Sequence, residues 1–174
     1  VADRAPVAQP TAAEYEQAMA EFGRLGLLDR LGVYARGAYG ALKSPLLQML
    51  QHYEAPGNLR EHFASRLGTV RTDRSPLDKA MNYAGGYDWG IRPGVNPEDA
   101  RASAKAYQLW DYGTRPHDSV MDYLENLAGL RAAERDRALN LDRRGPAMLD
   151  EAARFAVPKA RGGLAQYREF SCHG

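Results

Sequence analysis

Apolar residues recur along this chain at intervals of three and four, and glycine, proline or a capping residue repeatedly interrupts them. Residues 1–10 hold two prolines and no apolar period, so they are expected to form an extended arm. Thr11 with Glu14 three positions on is a capping box. Tyr15, Met19 and Phe22 follow on one helical face, and Gly23 and Gly26 end or bend that helix. Leu27, Leu28, Leu31, Ala35, Ala38 and Leu42 keep helical spacing through the next segment. Gly32, Gly37 and Gly40 weaken it by about 1 kcal/mol each against alanine. A helix this rich in glycine needs a packing partner, and its small residues would let another backbone come close. A loop is the alternative.

Ser44-Pro45 and Ser75-Pro76 each place a capping hydroxyl before a proline suited to the first helical position. The first start leads to Leu46, Met49, Leu50 and Tyr53 and is broken by Pro56-Gly57. Leu59, Phe63 and Leu67 form a short amphipathic segment that Gly68 ends. The second start leads to Leu77, Ala80, Met81 and Ala84, with Gly85-Gly86 expected to stop it.

A recurrence comes next. Tyr87-Asp88-Trp89-Gly90-Ile91-Arg92-Pro93 is echoed by Trp110-Asp111-Tyr112-Gly113-Thr114-Arg115-Pro116. Each aromatic pair is expected to plug a helix junction, and each glycine to permit a sharp entry. Asn96-Pro97 caps a helix with Ala100, Ala104, Tyr107 and Trp110 on its face. His117-Asp118 opens another with Val120, Met121, Leu124 and Leu127. Acidic residues stand in the first turn of both, where the helix dipole favours them. Helix is expected to continue through 130–143, with Leu139 and Leu141 as apolar points. Met148, Leu149, Ala152 and Phe155 make a last amphipathic helix that Pro158 closes. No period-two strand pattern stands out, so the fold class is all-α: several short helices joined by Gly/Pro turns. The expected organisation is an arm over 1–10, helical regions over 11–84 and 85–158, and a tail over 159–174.

Composition narrows the function. A hydrophobic fraction of 44% allows a real core, while runs such as Leu27-Leu28 are far too short to span a bilayer. A net charge of +1 gives nucleic acid little electrostatic attraction. The basic residues are nineteen arginines against four lysines, a bias that a GC-rich genome produces and that also suits bidentate contacts at protein interfaces. The single Cys172 allows neither an internal disulfide framework nor a multi-cysteine zinc site. The chain begins at Val1, which leads us to expect either a fragment or removal of a targeting segment.

Catalytic signatures are missing. There is no nucleophile elbow, phosphate-binding Gly-Lys-Ser/Thr loop, dinucleotide fingerprint or paired-histidine zinc helix. His52, His62, His117 and His173 read as ordinary surface or capping histidines, and Cys172-His173 as a terminal free thiol beside one of them. Asp118, Asp122 and Glu125 share a helix face and could serve acid–base chemistry in a cleft; we read them as a solvated, dipole-favoured edge. Trp89, Trp110, Tyr87 and Tyr112 could stack a ligand or bases; junction packing is the preferred reading. Arg131, Arg135, Arg137, Arg143 and Arg144, interleaved with Glu134, Asp136 and Asp142, are either a salt-bridged solvent face or a docking surface for an acidic partner.

The order of features from Trp110 onward resembles the ubiquinol–cytochrome c reductase binding protein family, a small helical matrix-side subunit of the mitochondrial cytochrome bc1 complex. Tyr112-Gly113-Thr114-Arg115 with Asp118 resembles that family's Tyr-Gly-Xaa-Arg turn. Val120 to Leu127 resembles the helix after it, Arg137-Ala138-Leu139-Asn140-Leu141 its arginine-rich element, and Gly145-Pro146 its proline-marked break. The likeness covers at most residues 107–170. It departs where Leu127 is followed by Ala128-Gly129 rather than Leu-Pro, and no tryptophan follows the break. The resemblance implies a non-catalytic accessory subunit without cofactor or metal. It would be associated with the inner mitochondrial membrane through partner subunits and would bind no nucleic acid. Trp89, Arg92, Trp110, Tyr112, Arg115, Arg131, Arg135, Arg137, Arg143 and Arg144 are the expected partner contacts. Two other readings compete: a secreted bacterial effector or small hydrolase in which Asp111 or Asp118 approaches His117 in a cleft, and a phage or scaffold structural protein.

Overall fold

The computed structural model describes residues 8–43, 63, 67–68 and 75–157. Among these residues the regular elements are six helices and no strand: α1 (Ala12–Arg24), α2 (Leu27–Lys43), α3 (Pro76–Ile91), α4 (Pro97–Asp111), α5 (Pro116–Ala138) and α6 (Pro146–Ala156). The all-α expectation holds. The expected helix start at Ser44-Pro45, the first seven residues of the arm and the tail beyond Val157 lie outside the described residues.

The start signals act as local chemistry requires. Thr11 Oγ1 accepts from the Glu14 amide at 3.2 Å, and the Thr11 amide donates to Glu14 Oε2 at 2.9 Å. This reciprocal pair satisfies two of the donors that a helix start leaves open. Ser75 caps α3 by accepting from the Asp78 amide, and Asn96 caps α4 by accepting from the Glu98 and Asp99 amides. The glycine-rich segment from Leu27 is a helix and not a loop.

The packing order runs α2–α4–α5–α3–α6, with α1 laid on α5. Helix α3 is the centre: 13 of its 16 residues are buried, so it meets neighbours on every side. It does not stop at Gly85-Gly86 as expected but runs through them to Ile91. These glycines are where α5 crosses. A Cβ on Gly86 would stand inside the contact radius of the Asn126 carbonyl oxygen and 2.9 Å from its carbon. A Cβ on Gly129 would collide with the Tyr83 carbonyl oxygen and lie 2.7 Å from the Tyr87 amide nitrogen. Each helix thus gives up side chains where the other's backbone passes. The boundary expected between 84 and 85 falls inside this helix.

Three further expectations are corrected. Helix α5 ends at Ala138, before 143. Asn140 takes a left-handed φ of 52°, and the Asp136 carbonyl accepts from both the Leu139 and Leu141 amides. The chain therefore turns, leaving Leu139 and Leu141 exposed. On α4 the buried face is Ala100, Ser103, Ala104, Gln108 and Leu109, while Tyr107 and Trp110 look outward. The close approach of α2 over Ser103 and Ala106 fixes that rotation. Finally, the sharp entry expected at each glycine of the aromatic recurrence is not found at Gly90, and the two copies sit in different settings. Tyr87, Trp89 and Gly90 are inside α3, and Gly90 packs on Leu130 and Ala133 rather than admitting a sharp entry. Trp110 and Asp111 are the last residues of α4, and Gly113 lies in the following turn. What both copies share is an Asp–Arg pair four residues apart, Asp88–Arg92 at 2.7 Å and Asp111–Arg115 at 3.4 Å.

Candidate functional site

Two groups of side chains gather on the central α3–α5–α6 packing, and one surface stands apart from it. The first group adds two residues of α3 that were not foreseen to Asp122 and Glu125, which spacing had placed on one helix face. Asp78 and Asn82 of α3 face Asp122 and Glu125 of α5, with carboxylate oxygens of Asp78, Asp122 and Glu125 all within 4.8 Å of one another. Of the solvated edge expected for Asp118, Asp122 and Glu125, Glu125 is corrected, since it is buried, as is Asp78 opposite it, while Asp118 and Asp122 are half-buried. Close approach at Gly86 carries α5's first turns over α3, leaving Asn82 and Asp122 half-buried. Three hard oxygens at this spacing suit a divalent cation. The centre is nonetheless taken: Asn82 Nδ2 stands 2.9 Å from Asp122 Oδ1, 2.9 Å from Glu125 Oε2 and 3.5 Å from Asp78 Oδ2. An amide there supplies the positive hydrogens that a cation would otherwise provide, and the cluster serves as a polar clasp between two helices.

The second group surrounds Asp136, whose side chain is fully buried. Tyr87 Oη donates to its Oδ2 at 2.7 Å, Arg135 Nε lies 3.3 Å from Oδ1, and Arg143 Nε lies 3.8 Å from Oδ2. Arg135 also donates to Glu151 at 3.1 Å, and Tyr83 Oη donates to the same oxygen at 2.5 Å. Burial, reinforced by the Glu151 carboxylate, pushes the Tyr83 phenol well above its ordinary value, and burial with Asp136 does the same to Tyr87. Burial opposes the charge of Arg135, but the hydrogen bond and charge of Glu151, with Asp136, outweigh it and raise its pKa. These groups lock α6 and the turn after α5 onto α3.

That arrangement redefines the expected arginine surface. Arg137 donates to the Gly90 and Val95 carbonyls at 3.2 and 2.9 Å, satisfying the end of α3. Arg92 is held by Asp88, and Arg135 and Arg143 by Asp136. Trp89 is buried at 4%. Arg131 pairs with Glu14 at 2.7 Å across to α1, and Arg144 with its neighbour Asp142 at 2.7 Å. The hydrogen bond from Arg144 lowers the Asp142 pKa. Tyr112 is half-buried, edge-on to Phe22 at 5.5 Å, while Arg115 stays exposed beside Asp111. Of the ten expected contacts, Trp110 is the large apolar one left in solvent, 79% exposed and edge-on to Tyr34. His117 hydrogen-bonds Tyr15 and stacks on its ring at 6.1 Å.

The surface that stands apart is α2. Its inward strip is Arg30, Val33, Tyr34 and Gly37. There Ser103 Oγ donates to the Gly37 carbonyl at 2.9 Å, and a Cβ on Gly37 would come within 2.5 Å of Ala106 Cβ. The apolar stripe that gave α2 its helical spacing therefore points outward. Leu27 is 75% exposed, Leu28 82% and Leu31 54%, with Ala35 and Ala38 exposed along the same line. Beneath α2 lies an open cavity of about 460 Å³ bordered by Val33, Arg36, Arg101, Lys105 and Tyr123. Each of its cations faces a carboxylate, Arg36 that of Glu98, Arg101 that of Glu134 and Lys105 that of Glu21. No protein-family model, curated protein or solved structure matches this chain.

Proposed function

We propose that this chain is a non-catalytic helical subunit that acts by binding its neighbours in a larger protein assembly. The observation that carries this reading is the outward stripe of α2. A helix that forms on leucine spacing and then leaves Leu27, Leu28 and Leu31 in water forgoes about 1.5–3 kcal/mol for each leucine that full burial would return. A partner surface recovers that energy, and contiguous exposed apolar residues mark such surfaces. The internal pairing of the arginines supports the same view, since Arg92, Arg135, Arg137 and Arg143 are committed to holding the fold. The hydrolase alternative needs a carboxylate beside His117, whereas that ring hydrogen-bonds to Tyr15 and stacks on it.

The identity of the assembly rests on the resemblance of Tyr112–Arg115 and Arg137–Leu141 to the cytochrome bc1 subunit family. By that likeness the assembly is a mitochondrial respiratory complex, and this chain sits at its matrix side. No helix among the described residues is long and apolar enough to cross a membrane. Sedimentation of a gentle extract from source cells tests the reading. The chain should travel in a particle several times its own mass, and the double substitution Leu28→Asp with Leu31→Asp should release it. Sedimentation of the wild-type chain as a free monomer would overturn the proposal, and a particle unaffected by the double substitution would remove α2 from it.

A further inference from the structure

We propose that the open cavity between α2, α4 and α5 binds a small phosphate monoester, its phosphate taken by Arg36, Arg101 and Lys105 and its organic part laid against Val33, Ala102 and Tyr123. The cavity lies on the side of α2 turned away from the exposed leucines, so it stands apart from the docking role of that helix. Its volume of about 460 Å³ is within the range of small-molecule sites. Helix α4 supplies one wall. Arg101, Ala102 and Lys105 follow Glu98 at three, four and seven positions, so all four share a face. Arg101 and Lys105 are thus like charges four apart, an arrangement that weakens an isolated helix. Arg36 adds a third cation from α2.

The three carboxylates that face these cations leave donors open. Arg36 Nη2 meets Glu98 at 3.3 Å, Arg101 Nη2 meets Glu134, and Lys105 Nζ meets Glu21. Among the described residues each guanidinium makes that one side-chain hydrogen bond, so its remaining N–H groups can serve a second acceptor. The side chains of Glu98 and Glu21 are 75% and 51% exposed, and pairs this wet contribute little. A phosphate offers several charged oxygens in the geometry that guanidinium groups bind bidentately. Tyr123 supplies an independent observation. It borders the cavity and packs on Phe22 with ring centroids 5.2 Å apart, but its hydroxyl has no hydrogen-bond partner among the described residues. Burial, then the Glu21 charge, pushes this phenol up to about 12 against the opposing pull of Arg101, so at neutral pH it is a donor. A half-buried donor calls for an acceptor, and a phosphate oxygen held by Arg101 provides one. A bare ion would leave Val33, Ala102 and the Tyr123 ring uncovered, which favours an ester over inorganic phosphate.

Isothermal titration calorimetry of the full chain in phosphate-free buffer at low ionic strength tests the site, with phenyl phosphate as the probe. Phenyl phosphate should bind one-to-one and about tenfold more tightly than inorganic phosphate, and added sodium chloride should weaken it. Tyr123→Phe keeps the ring, should leave thermal stability unchanged and should weaken binding about threefold to tenfold. Arg101→Gln should weaken it about tenfold or more. If circular dichroism shows that this variant does not fold, Arg36→Gln, whose ion pair is exposed on both sides, replaces it. Glu98→Gln should strengthen binding, because it removes a rival for Arg36 and a like charge from the cavity wall; a side chain serving the fold alone would not move affinity upward. No binding of phenyl phosphate, an affinity equal to that of inorganic phosphate, or an affinity unmoved by Tyr123→Phe and Arg101→Gln would overturn the proposal. None of these results bears on the source particle, whose dependence on Leu28 and Leu31 is read separately.

Discussion

Helices α2 and α3 are close in length, at 17 and 16 residues, and each carries three glycines, but they are used in opposite ways. In α3, Gly86 lies where the α5 backbone crosses and Gly90 lies against Leu130 and Ala133 of α5, and α3 is enclosed by α5, α4 and α6. In α2, of the described glycines, Gly37 meets a neighbouring helix while Gly32 meets nothing, and Leu27, Leu28 and Leu31 are left to solvent. The same residue type thus marks an interior junction in one helix and the single strip of attachment in the other. Glycine content alone does not distinguish a core helix from one that serves an outside partner. What distinguishes them is whether the leucines and the glycines share a face. In α3, Leu77, Ala80, Met81, Gly86 and Gly90 are all buried; in α2, Gly37 is buried while Leu28 and Leu31 are not.

The comparison predicts a large asymmetry under substitution. Gly129→Ala should cost about 3–5 kcal/mol, because the new methyl meets the Tyr83 carbonyl and the Tyr87 amide, which are backbone atoms that cannot rotate away. Gly37→Ala should cost about 1–2 kcal/mol, because its obstacle is the Ala106 methyl on a neighbouring helix that can shift outward. Urea unfolding of the two variants measures the gap. Equal costs would mean that α2 is held as rigidly as α3.

Electrostatics should divide the molecule along the same line. Asp136→Ala should cost about 3 kcal/mol, since it strands the Tyr87 hydroxyl and removes the carboxylate facing Arg135 and Arg143 in a buried setting. Glu98→Ala, which removes the exposed partner of Arg36 on the α2 side, should change stability by less than about 0.5 kcal/mol. Thermal unfolding of both variants decides it, and a small loss at Asp136 would show that its contacts with Tyr87, Arg135 and Arg143 contribute little to stability.

How far the sequence disclosed this division depends on what each residue competes against. Caps were legible because they are local: Thr11 with Glu14, Ser75 and Asn96 satisfy nearby amides whatever the tertiary fold. The apolar face of α5 was legible because Val120, Met121, Leu124 and Leu127 recur at helical intervals, and all are buried. Gly85-Gly86 misled because a glycine pair stops a helix only when nothing packs on it; here the α5 backbone repays the lost propensity. A trace existed in the sequence, since Gly86 and Gly90 lie four apart, as do Gly129 and Ala133, giving a small-residue strip on each helix. Glu125 and Asp136 also left a trace. They are about three helical turns apart, in line with Gly129 and Ala132, and so lie on the buried face and not the solvated one. The direction of the α2 stripe left none, because spacing defines a stripe without saying what it faces.

Alkaline titration sharpens the comparison further. Burial followed by neighbouring carboxylates raises the phenols of Tyr83 and Tyr87, and burial with the Glu21 charge raises Tyr123 to about 12. A phenol with a raised folded pKa contributes its stability in full below about pH 10, where the unfolded phenol is still protonated, and loses it as pH climbs towards the folded value. Stability should therefore fall by about 1 kcal/mol for each such tyrosine by about pH 11. In Tyr83→Phe the fall with pH should be shallower by one tyrosine's share. Denaturant midpoints measured at about pH 9 and about pH 11 give the difference. An unchanged slope would mean that Tyr83 ionises as readily folded as unfolded.

The smallest expected effect has the opposite sign. A Cβ on Gly32 meets nothing within 4 Å, and its backbone is helical. Gly32→Ala should therefore stabilise the chain by about 0.5–1 kcal/mol through helix propensity and a less disordered unfolded state. The measurement belongs in the Leu31→Asp background, so that any association through α2 does not contribute. Gain at Gly32 beside loss at Gly37, five residues along one helix, would separate the face of α2 that is already occupied from the face that awaits a partner. If Gly32→Ala were as costly as Gly37→Ala in that background, something within the chain would already cover the outer face, and the contrast between α2 and α3 would lose its basis.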